Sequence, residues 1–413
     1  MAKIDDSVKK KVPELRFKGF TDEWEQRKLS DGTNKIGDGL HGTPKYSEDG
    51  EVYFVNGNNL VNGQIVIMPE TKRVTSNEQS KDDKALNENT ILMSINGTIG
   101  NLAWYRGENL MLGKSAAYIE VSDFDKKFIY TYLQTRPVKD YYLNSLTGTT
   151  IKNLGLKAIR NTNICTPTID EQAKIGVLFQ NLDKTITLHQ RKLDLLKEQK
   201  KGYLQKMFPK NGAKVPELRF AGFADDWEDH KLGNIYDFGK GKGLPLDSFI
   251  YSSNNPAIAY GHLYTKYSEV ISEVFWSSND NGVLSKDNDL LFPGSSTVPN
   301  GTAQANAITL NNVKLGGDIV IGRPKEGVGV LSTFMSYQIN SQRQKLFPII
   351  VGTTITHMYG KDISKLNFFI TDYSEQEKIA SFFKQLDATI TLHQRKLDLL
   401  KEQKKGFLQK MFL

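Results

Sequence analysis

The chain has 413 residues and a net charge of +7, with 38% hydrophobic and 24% charged residues. The length predicts two domains, and the composition is that of a soluble globular protein. The positive charge indicates either a polyanionic partner or a basic surface without a partner. The single cysteine Cys165 excludes an internal disulfide, and the charged segment Met1–Lys11 excludes a secretory signal. No apolar run reaches the roughly 18 residues of a membrane span. A cytoplasmic protein is therefore expected.

A short motif near the start of the chain recurs in its second half. The run K-V-P-E-L-R-F occupies Lys11–Phe17 and again Lys214–Phe220, and a tryptophan follows each run at the same spacing, Trp24 and Trp227. We call each run with its tryptophan a frame. The repetition predicts one scaffold built twice around two different inserts.

Long mixed segments, residues 35–170 and 235–373, follow the frames and are rich in Gly, Asn, Ser and Thr. Short apolar runs predict strands, Asn-Gly pairs such as Asn62-Gly63 predict tight turns, and a helix is expected at Phe128–Leu133. The mixture predicts an α+β domain in each half. The predicted strands are Val52–Val55, Ile65–Met68, Ile91–Ile95, Ala116–Val121, Leu290–Phe292 and Ile319–Ile321.

Each insert is followed by a long helix, and the two helices have nearly the same sequence. Thr185–Phe208 and Thr389–Phe412 differ at one position, where Tyr203 is replaced by Phe407. Apolar residues recur at alternating steps of four and three, which predicts two helices of roughly 35 residues and about 50 Å that pair as an antiparallel coiled coil. The residues of this seam are Ile175, Phe179, Leu182, Ile186, His189, Leu193 and Leu196 in the first copy and Ile379, Phe383, Leu386, Ile390, His393, Leu397 and Leu400 in the second.

Polar residues interrupt the seam. Lys200 and Lys404 continue its spacing and, with His189 and His393, are expected to set the register of the helix pair. The two histidines could instead bind a metal, although no companion ligands lie at a metal-binding spacing. The lysines and arginines elsewhere on the helices form either a solvated face or a surface for a partner protein.

The chain lacks the sequence signatures of catalysis. It has no N-P-P-aromatic run to hold an adenine amino group, and no C-x-x-C, H-E-x-x-H or EF-hand spacing for a metal. Gly107–Ser115 departs from a Walker A loop because five residues separate its glycines. No catalytic residue and no metal site are therefore predicted. The Gly239–Gly243 loop, G-K-G-K-G, could contact phosphates or could be a linker.

Polar loops in both inserts suit recognition of DNA better than catalysis. Asparagine makes paired hydrogen bonds to adenine in the major groove, and small hydroxyl residues and lysines suit phosphate contacts. Ordinary turn chemistry is the alternative for each residue. The candidate DNA contacts are Lys45, Asn56, Asn58, Asn59, Arg73, Ser94, Asn96, Thr98, Lys114, Thr149, Thr150 and Lys152 in the first half, and Lys240, Lys242, Tyr260, His262, Tyr264, Lys266, Ser295, Ser296, Arg323, Thr353 and Thr354 in the second.

These features together resemble a specificity subunit of a type I restriction-modification system. The resemblance rests on the repeated frames, on the E-Q-x-K-I helix openings Glu171–Ile175 and Glu375–Ile379, and on the K-L-D-L-L-K run. Asn89–Gly100 is similar to a strand and Gly-Ser/Thr-x-Gly segment of the family's target-recognition domains, and Asp289–Ser295 keeps part of that segment. The resemblance covers the whole chain.

The resemblance implies a non-catalytic DNA-binding subunit with two target-recognition domains, residues 1–170 and 211–373, and two spacer helices, residues 171–210 and 374–413. Each domain would recognise one half of a split DNA sequence, and the helices would fix the distance between the halves. The implied partners are two methyltransferase subunits and motor-endonuclease subunits. S-adenosylmethionine, ATP and magnesium would be bound by those partners, and no cofactor by this chain.

Two other functions are compatible with parts of the sequence. A protein-binding scaffold with a rigid coiled-coil rod is the main alternative. A self-sufficient nuclease is the other, and the missing metal-ligand cluster argues against it. Binding to DNA, unlike binding to a protein, should weaken steeply as the salt concentration rises.

Overall fold

A computed structural model describes residues 12–150, 152–210, 212–298 and 300–413. Its contacts define two compact units: unit 1 comprises the described residues up to Gln190 together with Arg395–Leu413, and unit 2 comprises Arg191–Gln394. The segment Met1–Lys11, which was assessed above as a possible signal peptide, lies outside the described residues. Each unit combines one frame and one insert with parts of both long helices.

Unit 1 is built from short strands and helices. Its strands are β1 (Glu25–Lys28), β2 (Thr33–Asp38), β3 (Val52–Val55), β4 (Leu60–Val61), β5 (Gln64–Ile65), β6 (Arg73–Val74), β7 (Thr90–Ser94), β8 (Leu102–Trp104), β9 (Leu110–Leu112), β10 (Ala116–Val121), β11 (Leu146–Thr147), β12 (Asn153–Leu154) and β13 (Asn163–Thr166). Its helices are α1 (Lys81–Ala85), α2 (Lys126–Tyr132), α3 (Arg136–Asn144), α4 (Leu156–Arg160) and the first part of α5 (Ile169–Lys206), with 3-10 turns at Leu29–Gly32 and Gly57–Asn59.

The main sheet of unit 1 has the strand order β2-β10-β7-β8 and is antiparallel. All five residues of β7 are buried, because the sheet is covered on both faces: Ile91 and Met93 pack in one apolar cluster and Leu92 in another. A second sheet, β6-β3-β9, pairs β3 with β9 in parallel. The predicted strand Ile65–Met68 is wrong beyond Ile65, since the chain turns at Met68, whose carbonyl accepts the Thr71 amide.

Unit 2 has more strands in its main sheet. Its strands are β14 (Glu228–Lys231), β15 (Tyr236–Lys240), β16 (Ile250–Tyr251), β17 (Ala257–Ile258), β18 (Val270–Ile271), β19 (Trp276–Ser277), β20 (Val283–Leu284), β21 (Asp289–Pro293), β22 (Ser295–Ser296), β23 (Asn306–Ile308), β24 (Lys314–Leu315), β25 (Ile319–Pro324), β26 (Thr356–His357) and β27 (Asn367–Ile370). Its helices are α6 (Leu232–Ile235), α7 (Tyr260–Thr265), α8 (Ser332–Ser341), α9 (Gly360–Ile363) and most of α10 (Tyr373–Lys410), with 3-10 turns at Leu246–Ser248, Arg343–Lys345 and Phe347–Ile349.

The main sheet of unit 2 has the order β15-β25-β21-β23-β18, and only its edge strand β18 runs parallel to its neighbour. Helix α8 packs with Trp227 and Phe383 in one apolar cluster against this sheet, and a second cluster surrounds Leu291 and Ile321. The α+β class, the two long helices and the internal repeat that the sequence predicts are confirmed.

In each unit one half of α5 packs against one half of α10. In unit 1, Phe179 packs on Phe412 with ring centroids 5.6 Å apart, and Lys404 Nζ lies 2.7 Å from Asp183 Oδ1. Asp183 comes after Phe179 along α5, but its partner Lys404 comes before Phe412, the partner of Phe179. The two helices therefore run antiparallel. The equivalent ion pair in unit 2, Lys200 Nζ with Asp387 Oδ1, is also 2.7 Å long.

The seam residues lie on the inward side of each helix pair. Ile175, Phe179, Leu193, Ile379, Phe383 and Leu397 are at most 1% exposed, Leu196 and Leu400 are 6% exposed, and Leu182, Ile186, His189, Leu386, Ile390 and His393 are half-buried. Lys200 and Lys404, which interrupt the seam, each form an ion pair with the opposite helix.

The two frames hold the helix ends in place. Arg16 makes a two-pronged contact of 2.7 Å with the buried carboxylate of Glu171 near the start of α5. In the same frame the Leu15 amide donates to the Lys410 carbonyl at the end of α10. Unit 2 repeats the arrangement, with Arg219 on Glu375 and the Leu218 amide on the Lys206 carbonyl. The planar guanidinium matches a carboxylate in this geometry, which explains the arginine of the repeated motif.

Candidate nucleic-acid interface

A polar turn after β3 of unit 1 brings several of the predicted residues together. Ser115 Oγ donates to Asn56 Oδ1 at 3.0 Å and accepts the Gly57 amide at 2.8 Å, while Thr98 Oγ1 donates to the Gly57 carbonyl at 3.3 Å. A Cβ on Gly57 would lie 2.2 Å from Ser94 Oγ, so only glycine fits between the two loops. The loops that carry Asn56 and Ser94–Thr98 therefore form one surface.

Neighbouring asparagines in this turn have different environments. Asn58 is exposed, whereas Asn59 is 4% exposed and its side chain is used inside the unit. Asn59 Oδ1 accepts the Asn56 amide at 2.9 Å, and Nδ2 donates to the Val66 carbonyl at 2.9 Å and to Thr71 Oγ1 at 3.2 Å. Asn59 thus shapes the turn that presents Asn58.

A second pair of asparagines lies where β7 continues into its loop. Asn96 forms a backbone bridge with Asn153. The Asn96 amide is assigned with its nitrogen towards the oxygens of Ile95, Lys152 and Asn153, an orientation in which it donates to Asn153 Oδ1 at 2.6 Å. The exposed residues Thr149, Thr150 and Lys152 precede Asn153 on the adjoining loop. Ile151, between Thr150 and Lys152, lies outside the described residues.

The remaining basic candidates of unit 1 lie on its surface. Lys45 and Lys114 are exposed. The Arg73 guanidinium lies 5.0 Å from the centre of the Tyr53 ring and is exposed on its other side. Such a stacked arginine keeps its donors available to a ligand.

Unit 2 has a cavity of about 320 Å³ beside the main sheet. Lys240 Nζ lies 2.8 Å from Asp318 Oδ1, Ser295 Oγ donates to Asp318 Oδ2 at 3.1 Å, and Ser295 Oγ is 2.9 Å from His357 Nδ1. The hydrogen bond from Lys240 lowers the pKa of Asp318 although partial burial opposes it. Lys361 also lines the cavity. Its wall therefore offers both cationic and neutral hydrogen-bonding groups.

The loop beside this cavity holds three more candidates. Ser296 is buried, and its hydroxyl donates to the Val298 carbonyl at 3.0 Å. Thr353 and Thr354 are exposed in the turn between Val351 and His357, which pair with each other. Ser296 therefore shapes the loop, and the two threonines face solvent.

A second group of candidates lies on α7 of unit 2. His262 stacks on Trp276 with ring centroids 5.2 Å apart and accepts the Ala259 amide at Nδ1. Burial, with a smaller effect of Lys266, lowers the pKa of His262. Tyr260 and Tyr264 are half-buried, and Lys266 is exposed.

Two basic candidates of unit 2, Lys242 and Arg323, differ in whether their side chains are free to contact a ligand. Lys242 is exposed in the glycine-rich loop. Arg323 is held by the buried carboxylate of Asp289, with Nε 3.1 Å from Oδ1, and its Nη2 donates to the Leu284 carbonyl. Its guanidinium thus neutralises a buried charge inside the unit.

Sequence reasoning missed His357 and Asp318. Neither belongs to a recognisable motif, and Ser295, their common partner, lies 23 residues from Asp318 and 62 from His357 along the chain. The signal that could have found His357 is the repeat itself, because the G-T-T-I runs at Gly148 and Gly352 put it in step with Asn153. The exposed ring pair Tyr251 and Phe275 was missed as well.

The described residues contain no group of metal ligands and no membrane-spanning helix. Nowhere in these residues do three or more His, Cys, Asp or Glu side chains group so that they could hold a metal ion. No helix in the described part of the chain is both long and apolar enough to cross a membrane.

Comparisons with known proteins agree with this architecture. The family model of the type I restriction modification DNA specificity domain matches the chain twice, at residues 21–198 and 224–402. The type I restriction enzyme MjaVIII specificity subunit of Methanocaldococcus jannaschii is 22% identical over 348 residues, covering 78% of this chain and 77% of that protein. A relative from the same organism, named as the MjaX specificity subunit, is 23% identical over 412 residues, covering 93% and 91%.

A solved structure shares the fold. The S subunit of the type I restriction-modification system from M. genitalium superposes with a TM-score of 0.67 over 97% of this chain and 99% of that chain, at 15% identity.

Proposed function

This chain belongs to the type I restriction modification DNA specificity family, and from that membership we propose that each of its two units recognises one half of a split DNA sequence. The observation that carries the proposal is the duplicated site. Both units place polar side chains around the same strand end, Asn96 with Asn153 in unit 1 and Ser295 with His357 in unit 2. One scaffold with two different sets of hydrogen-bonding groups suits recognition of two different sequences.

The partners we propose are two methyltransferase subunits, docked on the long helices, and motor-endonuclease subunits. Each unit exposes a leucine from each of the two long helices. In unit 1, Leu188 is 64% and Leu399 53% exposed; in unit 2, Leu195 is 51% and Leu392 67% exposed. Leucines that point away from a packed seam favour coverage by another protein.

The chemistry of the complex is proposed to lie with those partners. S-adenosylmethionine would serve the methyltransferase subunits, and ATP and magnesium the motor-endonuclease subunits. This chain would supply sequence recognition and the docking surface, and no catalytic residue. We expect the complex to act in the cytoplasm.

An exchange of inserts tests the two-site proposal. The insert of unit 1, about residues 33–166, is replaced by that of another family member, and methylated adenines are mapped in cells that also carry the methyltransferase subunit. One half of the methylated sequence should change and the other half should stay the same. A change in both halves, or in neither, would contradict separate recognition by the two units.

A protein-binding scaffold is the alternative that one observation favours. Tyr251 is 74% and Phe275 46% exposed, and their rings stack with centroids 6.2 Å apart, as in many protein interfaces. Salt dependence separates the two functions. Binding to duplex DNA should weaken steeply between about 50 and 200 mM salt, whereas binding to a protein through these rings should not.

A further inference from the structure

The backbone at the end of β7 in unit 1 fixes a side-chain pair. The Ile95 amide donates to the Ser115 carbonyl, and the Leu154 amide donates to the Ile95 carbonyl, both at 2.9 Å. These bonds place Asn96, which follows Ile95, opposite Asn153, which precedes Leu154.

Unit 2 repeats this backbone pattern with different side chains. The Gly294 amide donates to the Asp318 carbonyl at 2.6 Å, and the Met358 amide donates to the Gly294 carbonyl at 3.0 Å. Ser295 therefore lies opposite His357. His357 in unit 2 occupies the position that Asn153 occupies in unit 1.

The hydrogen bonds around His357 determine which of its ring nitrogens is available. Asp318 is held as a carboxylate by Lys240 and can only accept, so the single hydroxyl proton of Ser295 goes to Asp318 Oδ2. Ser295 Oγ must then accept from His357, which places the imidazole proton on Nδ1. In the neutral ring, Nε2 is left as a hydrogen-bond acceptor at the wall of the cavity.

The pair Asn96 and Asn153 in unit 1 offers a ligand a hydrogen-bond donor, whereas His357 in unit 2 offers an acceptor. With the Asn96 amide nitrogen turned towards Asn153, it donates to Asn153 Oδ1 at 2.6 Å and uses one of the two lone pairs of that oxygen. Neither hydrogen of Asn153 Nδ2 has a partner among the described residues, so this side chain offers a ligand chiefly donors.

We propose that these two residues recognise DNA bases of opposite hydrogen-bonding polarity in the major groove. His357 Nε2 accepts from the exocyclic amino group of adenine or cytosine, and Asn153 Nδ2 donates to the keto oxygen of guanine or thymine. This inference rests on the proposed function and adds to it the residue in each unit that selects amino or keto bases.

The test maps methylated adenines in cells that carry the methyltransferase subunit with the full-length chain or its variants. The double variant Ser295→Asn/His357→Asn, which installs the residue pair of unit 1, should change one position in the half recognised by unit 2 from an amino base to a keto base. His357→Ala should leave that position undefined, with discrimination reduced on the order of 10- to 100-fold. Asn153→Ala should leave the matching position in the other half of the sequence undefined.

Each variant carries its own folding control, because the half recognised by the other unit should remain as in the wild type. His230→Asn is the matched control, since His230 lies in unit 2 on β14 and pairs with Glu228 away from the cavity. An unchanged sequence in Ser295→Asn/His357→Asn and in His357→Ala overturns the inference. Equal loss of methylation at all sequences also overturns it, because that is the behaviour of a phosphate contact.

The wild-type chain separates failure of the inference from failure of the proposed function. If the wild type directs methylation to a two-part sequence and the variants do not alter it, the inference alone fails. If the wild type directs no two-part methylation, the proposed function fails.

Discussion

The seam lysines of the two units make the same contact with the opposite helix and different contacts with the insert. Lys404 binds Asp183 in unit 1 and Lys200 binds Asp387 in unit 2, both at 2.7 Å. Lys404 then donates to Gln134, an uncharged side chain. Lys200 instead forms a second ion pair, 2.9 Å long, with Glu269 of its insert. Repeated residues thus preserve the helix pairing, and each insert determines how that pairing is tied to its own domain.

The largest effect is expected where the two units do not differ, in the seam. Leu193 is 1% and Leu397 0% exposed, so the double variant Leu193→Glu/Leu397→Glu loses two buried leucines at about 1.5–3 kcal/mol each and buries charge in addition. We expect the free energy of unfolding to fall by more than about 4 kcal/mol. Thermal unfolding followed by circular dichroism measures the loss.

The matched control uses leucines of the same helices that point outward. Leu195 and Leu399 are 51% and 53% exposed, so Leu195→Glu/Leu399→Glu should unfold within a few degrees of the wild type. It should nevertheless fail to co-purify with the methyltransferase subunit. Equal destabilisation of both double variants would argue against the paired seam, and normal co-purification would argue against docking at these leucines.

The ion pairs between frame and helix, Arg16 with Glu171 and Arg219 with Glu375, should respond differently to loss of the arginine. Arg16→Ala and Arg219→Ala each leave a fully buried carboxylate without its guanidinium, at a cost of about 3–5 kcal/mol. Glu375 keeps hydrogen bonds from Trp227 Nε1 and Thr371, whereas Trp24 Nε1 has no partner among the described residues.

Arg16→Ala should therefore destabilise its unit more than Arg219→Ala does, by about 1–3 kcal/mol. Amide hydrogen exchange measured separately over peptides of unit 1 and unit 2 can distinguish the two variants. If the two variants lost equal protection from exchange, each in its own unit, the hydrogen bond from Trp227 Nε1 to Glu375 would contribute nothing to the stability of unit 2.

The smallest effect concerns the seam lysines themselves. Lys200→Met leaves Asp387 and Glu269 without their cation and should cost about 2–4 kcal/mol near pH 7, whereas Lys404→Met should cost about 1 kcal/mol because Asp183 is 35% exposed. Chemical denaturation of both variants measures the difference, and a larger loss in Lys404→Met would contradict it.

The loss in Lys200→Met should depend on pH. Burial raises the pKa of Asp387 although Lys200 opposes the shift. A carboxyl whose pKa is raised in the folded state favours folding when protonated, so its contribution to stability falls as the pH rises through the folded pKa. Without Lys200 that pKa rises further, and Lys200→Met should be closer to wild-type stability at about pH 5 than at pH 7.

Local patterns predicted the helices well and the candidate site only in part. The helix periodicity depends on neighbours three and four residues apart, so the seam could be traced through Leu193 and Lys200 without knowledge of the fold. Side-chain roles in the loops depend on distant partners. Asn58 and Asn59 are identical in type, yet one is exposed and the other holds the turn through Val66 and Thr71.

The same limit applies to charged and ring side chains. Arg323 has the chemistry of a phosphate contact, but its role depends on Asp289, a buried carboxylate 34 residues away. His357 carries no local motif, and Ser295, which orients it, lies 62 residues away.

The division of unit 1 into two stretches of chain has a consequence for its biosynthesis. Met411 and Phe412 lie in the same apolar cluster as Trp24, Phe128 and Phe179. More than 200 residues separate Gln190 from Arg395 in the sequence, so a ribosome adding about 5–20 residues per second makes these two parts roughly 10–40 s apart. During that interval the nascent unit 1 exposes the apolar surface that Phe412 will cover. The domain that is synthesised first therefore finishes folding late, and it depends longest on protection from aggregation.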